Sequence, residues 1–293
     1  MVGCHVENQQ YDIAEKFLQK PIPNENKLRI MTMLASFHVQ NEQYDVALKL
    51  SKEKYEKSIE IFGETHQNTV ISMINLANCY QYNDEIEIAI QILEELVEKL
   101  KSSLGETHDD TSETLRNLSR IYTENKQYDI AVDLLKDLLD KQKSILGDTH
   151  KNTVNTILDL ANIHEESNQY EIAIKTYQDL VEKQTSINGE INRITFIIQR
   201  RLADCYIKID KFEIAENLLK GLFEKQKSIL GETHKETLET IWKLGGYYTY
   251  NGQHGIASKL LKESLEKQIS NLGETQYETI ETTYMLVNFL IVL

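Results

Sequence analysis

Six glycines recur at a spacing of 42 residues along the chain: Gly63, Gly105, Gly147, Gly189, Gly231 and Gly273. The residues around four of them are nearly the same, reading Gly-Glu-Thr-His or Gly-Asp-Thr-His at 63–66, 105–108, 147–150 and 231–234. A fixed period of this length is typical of a stacked repeat array. Such arrays usually serve as binding surfaces, so the period argues against enzyme chemistry.

The composition predicts an almost entirely helical chain. Of 293 residues only 2 are proline and 12 are glycine, and half of the glycines fall at the periodic positions. Leu, Ile, Glu, Lys and Gln are abundant, and residues of these types are compatible with helix interiors. The repeat overrides the division into two globular domains that length alone would suggest.

Charge and sorting signals exclude several functional classes. The formal net charge of −14 argues against nucleic acid and anionic membranes as partners, because both require a basic surface. Three cysteines do not form a disulfide framework, and residues 1–7 lack the features of a signal peptide. The apolar run at 289–293 is too short to span a bilayer. We therefore expect a cytoplasmic protein.

The sequence of one repeat, residues 63–104, predicts two helices. In helix A an amphipathic stripe is formed by Met73, Leu76, Ala77 and Tyr80. A polar turn follows at 82–84, and helix B carries Ile86, Ala89, Ile90, Leu93 and Leu96. The periodic glycine fits a left-handed cap at the end of helix B.

The start of helix A carries a threonine that predicts an N-cap. Thr65 is the proposed cap, with Asn68 three residues later. The equivalent pairs are Thr107/Asp110, Thr149/Asn152, Thr233/Glu236 and Thr275/Glu278, of which the last two have the complete capping-box pattern.

Small residues recur at one position of each helix, which predicts antiparallel hairpins whose helices approach closely. In helix B they are Ala47, Ala89, Ala131, Ala173, Ala215 and Ala257. In helix A they are Ala35, Ala77, Ser119, Ala161, Ala203 and Gly245.

This pattern of Leu, a small residue and Tyr on helix A, with Ala and large apolar residues on helix B, resembles the tetratricopeptide repeat. The 42-residue period and the Leu-Gly-Glu-Thr-His sequence are similar to the kinesin-light-chain type, although the proline that usually follows His is absent. The resemblance implies an all-α, right-handed α-solenoid of stacked helical hairpins over residues 1–293. Its predicted parts are a half repeat at 1–20, full repeats at about 24–62, 63–104, 105–146, 147–188, 189–230 and 231–272, and a half repeat at 273–293. The half repeats suggest a truncated product, a piece of a longer protein, or a terminus buried against a partner.

In such arrays the A helices line the concave side, and this predicts a peptide-binding groove. Counting from the buried leucine of each A helix places these residues in the groove: Asn75, Asn78, Arg116, Asn117, Arg120, Asn162, Arg200, Arg201, Trp242 and Lys243. The chain has 6 arginines, and five of them (Arg29 and the four above) occupy inner-face positions. Guanidinium groups match carboxylates and phosphates, and asparagines hydrogen-bond to peptide backbones.

Two interpretations of these residues remain open at this point. The arginines either recognise an acidic or phosphorylated peptide, or pair with Glu113, Glu165 or Asp204 of neighbouring repeats. Likewise, Trp242 is either an exposed anchor or packs beneath the adjoining helix.

No metal, cofactor or catalytic site is predicted. His66, His108, His150 and His234 fall in successive stacked units, about 10 Å apart, and cannot converge on one ion; structural or capping roles are expected. Cys4, Cys79 and Cys205 occupy the same position of helix A in their repeats and are predicted to be packing residues.

The sequence thus predicts a protein–protein interaction scaffold or adaptor that binds an extended, acidic or phosphorylated peptide. The alternative is the sensor or regulatory segment of a larger signalling protein, with its effector domain outside this chain. An upstream nucleotide-binding domain would favour that alternative, and an upstream heptad coiled coil would favour a cargo adaptor.

Overall fold

A computed structural model describes residues 22–189, 192–273 and 276–291, together with Lys16, Leu18 and Lys20. These residues form thirteen α-helices and no β-strand. In chain order the helices are α1 (Asn24–Gln40), α2 (Tyr44–Phe62), α3 (Gln67–Tyr82), α4 (Ile86–Leu104), α5 (Asp109–Glu124), α6 (Tyr128–Ile145), α7 (Lys151–Glu166), α8 (Tyr170–Asn188), α9 (Arg193–Lys208), α10 (Phe212–Leu230), α11 (Lys235–Tyr250), α12 (His254–Leu272) and α13 (Tyr277–Ile291). Odd-numbered helices are A helices and even-numbered helices are B helices.

The chain divides into two compact units, residues 1–159 and 160–293, with the boundary inside α7. In the first unit each helix from α1 to α6 packs against the next, and α3 also contacts α5. In the second unit α8 to α13 pack in the same way, and α11 contacts both α9 and α13. The predicted fold class, an all-α helical-repeat solenoid, is confirmed. The half repeat predicted at 1–20 lies outside the described residues except for Lys16, Leu18 and Lys20, and one continuous array over 1–293 stays a prediction.

Close packing at the small residues holds each hairpin together. All six alanines of the B-helix series have 0% exposure. In the last hairpin, a Cβ atom added at Gly245 would lie 3.1 Å from the Leu261 side chain. The prediction that these positions allow close approach of the two helices is confirmed.

The turn from an A helix to a B helix contains one residue with positive φ. At Asp84 φ is 60°, and the amides of Asp84 and Glu85 donate to the carbonyls of Gln81 and Tyr80. Positive φ is uncommon for residues other than glycine. It nevertheless recurs every 42 residues, at Glu42, Asp84, Lys126, Asn168, Asp210 and Gly252. The sequence predicted a polar turn here, but not this conformation.

The periodic glycine adopts a conformation that requires glycine. Gly63 follows α2 with φ 88° and ψ 168°, and Gly105 follows α4 with φ 98° and ψ 162°. Positive φ was expected, but ψ is extended rather than left-handed helical. This region of φ and ψ is almost closed to residues with a Cβ atom, which explains why glycine occupies the position.

Four A helices (α3, α5, α7 and α11) are capped by a histidine side chain, so the predicted threonine N-cap is wrong there. His66 is the N-cap of α3, and its Nδ1 accepts a hydrogen bond from the Asn68 amide at 3.1 Å. The same bond is made by His108, His150 and His234, and by the side-chain oxygen of Asn192 at the start of α9. The capping role expected for the histidines is therefore confirmed.

A second threonine, inside the first turn of the A helix, bonds to the periodic glycine. The hydroxyl of Thr69, inside α3, donates to the Gly63 carbonyl at 2.7 Å, and Thr237 makes the equivalent bond to Gly231. The carboxylate of Glu236 does not close a capping box with Thr233. It bonds to arginines of α9 instead. Thr275, from the other predicted box, lies outside the described residues.

Replacing a capping histidine tests whether its side chain stabilises the protein as an N-cap. We expect His234→Ala to lower the free energy of unfolding by about 1 kcal/mol, the usual cost of losing an N-cap acceptor. His234→Asn should cost much less, because Asn192 fills the same role in this chain. Urea unfolding of both variants measures the difference. Equal losses for the two would show that the histidine ring acts through packing rather than through the cap.

Candidate peptide-binding surface

In the first unit, three of the predicted site residues form one hydrogen-bonded group. Arg120 on α5 donates to Asn78 Oδ1 of α3 at 2.7 Å and to Asn117 Oδ1 at 3.5 Å. Its other terminal nitrogen contacts Glu124 Oε1 at 3.0 Å. The guanidinium side chain remains 40% exposed, so this group presents a polar surface that a peptide backbone could contact.

The other two predicted residues of this unit are less accessible as binding groups. Arg116 contacts Asp159 Oδ2 at 3.5 Å. Burial raises the pKa of the Asp159 carboxyl, and the Arg116 charge only partly offsets that effect. Asn75 on α3 is half-buried and lines a pocket of about 290 Å³ together with Asn78.

In the second unit Arg200 is an internal ion-pair residue. It is 6% exposed, and its terminal nitrogens reach Glu236 Oε2 at 3.0 and 3.1 Å and Glu239 Oε2 at 2.5 Å. The interpretation that arginines pair with neighbouring repeats describes this residue, although its partners are not those expected. A peptide would have to break these bonds to reach the Arg200 guanidinium.

Arg201, the next residue of α9, is in a different environment. Its side chain is 50% exposed, and its Nη1 lies 3.9 Å from Glu165 Oε1. Burial raises the pKa of the Glu165 carboxyl, and Arg201 moderates the rise. Glu165 and Asn162 both accept from the Tyr177 hydroxyl, at 3.2 and 2.6 Å. Asn162 is therefore engaged inside the hairpin, while Arg201 is available at the surface.

Trp242 is half-buried and packs against the adjoining helix, while its role as a binding anchor stays a prediction. Its Nε1 donates to the Thr282 hydroxyl of α13 at 2.8 Å, and its ring packs beside a core cluster that includes Leu238 and Ile241. The ring also lines a pocket of about 550 Å³ between α9 and α11. Its neighbour Lys243 lines the same pocket and forms an ion pair with Asp204.

This pocket, which we call the Trp242 pocket, contains residues that the sequence did not predict. Its remaining lining residues are Arg200, Asp204, Ile207, Lys208, Glu239, Gly246, Tyr247 and Tyr250. Tyr250 is 65% exposed. Burial raises the pKa of the Tyr247 hydroxyl to about 12. The Tyr-Tyr-Thr-Tyr run at 247–250 could have indicated this pocket. These residues were not predicted, because the groove positions considered in this helix ended two residues after Leu244.

No other chemistry is evident in the part of the chain that the structure describes. Within it, no group of three or more His, Cys, Asp or Glu side chains is placed to hold a metal ion. Nor does any helix of these residues have the length and apolar character needed to cross a membrane. Cys79 and Cys205 are buried free thiols, as expected of packing residues, and Cys4 lies outside the described residues.

Comparisons with known proteins agree with this architecture. The tetratricopeptide repeat profile matches residues 27–102, 75–144, 110–186 and 194–269. These matches cover most of the chain, which therefore belongs to the tetratricopeptide repeat family. A comparison with curated protein sequences gives no significant match.

Solved structures identify the type of repeat. The nearly identical TPR-like repeats of a Podosopora anserina kinesin light chain share 25% identity over 69% of this chain and 96% of that one, with a TM-score of 0.58. The apo quorum sensor NprR of B. thuringiensis shares 16% identity over 97% and 81%, with a TM-score of 0.54. A Pyrococcus horikoshii STAND protein with a tetratricopeptide repeat sensor shares 16% over 97% and 42%, with a TM-score of 0.54. The chain is a tetratricopeptide repeat protein of the kinesin-light-chain-like type.

The contrast between Arg200 and Arg201 can be tested by the same substitution at adjacent residues. We expect Arg200→Gln to lower the free energy of unfolding by about 3 kcal/mol, because it leaves the Glu236 carboxylate buried with an incomplete set of partners. Arg201→Gln should cost less than about 1 kcal/mol, as is usual for exposed ion pairs. Urea denaturation measures both values. Similar losses at the two positions would contradict the internal role assigned to Arg200.

Proposed function

We propose that this protein-interaction array binds an extended peptide along the exposed faces of its A helices, and that it acts by binding rather than catalysis. The Trp242 pocket is the observation that carries the proposal. It is about 550 Å³ in volume, which is enough for one large apolar side chain. Tryptophan, tyrosine and arginine are the residues that most often dominate binding energy at interfaces.

The pocket is built on helices that are already ordered by internal packing. Trp242 is fixed by its bond to Thr282 and by core contacts on α11. A receptor of this kind loses little conformational entropy on binding, so the ordering cost falls mainly on the peptide. The exposed ring of Tyr250 then supplies apolar area with few rotatable bonds.

The charges near the pocket support a preference for an acidic residue beside the anchor. Lys208 is exposed, and no ion pair joins it to another described residue. The Lys243 side chain is 44% exposed although it is paired with Asp204. An incoming carboxylate can contact either ammonium group without breaking the buried bonds of Arg200. Arg201 is a further exposed cation of this unit, on α9.

Similar structures support peptides as the class of ligand. NprR has been crystallised in complex with its cognate peptide NprX, and that structure has a TM-score of 0.51 against this chain. The acidic character of the peptide bound here rests on the lysines and arginines alone. A cytoplasmic location is proposed from the two buried free cysteines, Cys79 and Cys205, because free thiols are usual in a reducing compartment.

A selection experiment followed by matched variants tests the proposal. Peptides selected by display on the purified chain should carry a large apolar residue next to Asp or Glu. Tyr250→Ala should weaken the best peptide by about tenfold, the loss that corresponds to about 1.4 kcal/mol. Lys208→Glu should weaken it several-fold at low salt and less at high salt, because exposed charges are screened. Affinities are measured by fluorescence anisotropy.

The control for Tyr250 is Tyr284→Ala, which removes an equally exposed tyrosine (63%) that is not part of the pocket. It should leave affinity unchanged. If Tyr250→Ala and Lys208→Glu bind the selected peptides as well as the wild type, the pocket is not the peptide site. Peptides without any acidic residue would reject the charge preference but retain the pocket.

A second candidate is the sensor segment of a larger signalling protein. The likeness to the STAND protein favours it, because nearly all of this chain matches 42% of a protein whose repeats are described as a sensor. The coding sequence upstream decides between the two. A nucleotide-binding domain there would support the sensor, and a heptad coiled coil would support an adaptor.

A further inference from the structure

A second pocket, in the first unit, has an unusual electrostatic environment. It is about 370 Å³ in volume and is lined by α1, α2 and α3. Lys54 on α2 and Thr32 on α1 line both this pocket and the adjoining one of about 290 Å³. This Lys54 pocket lies in a different compact unit from the Trp242 pocket.

Lys54 is a buried cation without an anionic partner. It is 8% exposed, and its ammonium makes no ion pair or hydrogen bond with any residue that the structure describes. Burial lowers the pKa of the Lys54 ammonium, and the nearby Cys79 thiol only partly opposes the shift. A buried charge is normally paired, because desolvation without compensation is costly.

Arg29 on α1 is a second cation that lines this pocket. Each of the other five arginines has a carboxylate within ion-pair distance: Arg116, Arg120, Arg193, Arg200 and Arg201. Arg29 has none among the described residues. Arg29 is exposed, so its charge does not require a partner. Together with the buried Lys54, however, it places two unpaired cations at one pocket in a chain with a net charge of −14.

The other groups in the pocket leave the two cations as its principal donors. The hydroxyls of Thr32 and Ser58 already donate to the backbone carbonyls of Leu28 and Lys54. The exposed side-chain amide of Asn68 is a further donor. Glu25 is the one carboxylate in the lining, so the two cations leave a single positive charge in excess.

We infer that the Lys54 pocket binds an oxyanion group, a carboxylate or a phosphate, through the Lys54 ammonium and the Arg29 guanidinium. Guanidinium and ammonium groups are the usual protein ligands for both groups. The anion is either free in solution or carried by an acidic side chain of a bound peptide. This inference does not depend on the Trp242 pocket, because the two sites share no residue.

Thermal unfolding of the full chain in phosphate, acetate or chloride, at one ionic strength, tests the inference. A ligand that binds only the folded state raises the melting temperature with its concentration. We expect phosphate or acetate to stabilise the wild type more than chloride does. Lys54→Met should weaken this response by about tenfold in apparent affinity, and Arg29→Gln should also weaken it. Without added anion, Lys54→Met should be at least as stable as the wild type, since a buried unpaired charge has been removed.

Lys49→Met is the matched control, because it removes the same charge from an exposed position of α2 and should respond like the wild type. A blocked peptide with one glutamate separates the two sources. Stabilisation by free phosphate or acetate identifies a free anion, and stabilisation by this peptide alone identifies an acidic side chain. The inference is overturned if neither stabilises the wild type, or if Lys54→Met and Lys49→Met respond alike.

Discussion

The close contact between the two helices of each hairpin is the constraint on which the other features depend. At one level of every B helix an alanine is completely buried, and the facing A helix carries a residue no larger than serine or alanine. At Gly245 even a methyl group would press on Leu261. Small side chains at these positions let the two helices approach closely, as an antiparallel hairpin of helices requires.

The connectors between hairpins depend on three local features that act together. The glycine supplies a backbone conformation closed to other residues, a threonine hydroxyl bonds its carbonyl, and a histidine caps the next helix. The sequence identified the period, the helices and the small residues, because each of these follows from spacing and side-chain size. It did not identify which of two adjacent residues, Thr65 or His66, caps the helix. That choice depends on side-chain geometry at the bend, where threonine and histidine both offer acceptors.

The candidate site was less predictable than the fold, because the exposure and partners of its side chains depend on neighbouring repeats. Periodicity locates the inner face of a helix, but Arg200 and Arg201 are adjacent on α9 and differ almost completely in exposure. Their partners come from helices about 40 residues away, and a pattern within one repeat does not specify them. Lys54 was overlooked because most lysines of the B helices lie at the surface. Tyr250 was overlooked because it lies at the end of α11, beyond the counted positions.

Ion pairs inside the array determine which of its charged side chains are available to bind a partner. The chain is strongly acidic, and most of its arginines are committed to carboxylates of neighbouring helices. A partner therefore gains less from these arginines than from an unpaired cation, because binding would exchange one ion pair for another. Lys208, Arg29 and Lys54 are different, since an incoming anion would neutralise them without breaking an existing bond. Lys208 is exposed and its effect should be sensitive to salt, whereas Lys54 is largely buried and its interaction should be less sensitive. Specificity would then come from a few uncommitted cations next to shaped apolar surfaces, on a scaffold whose net charge repels most other anions.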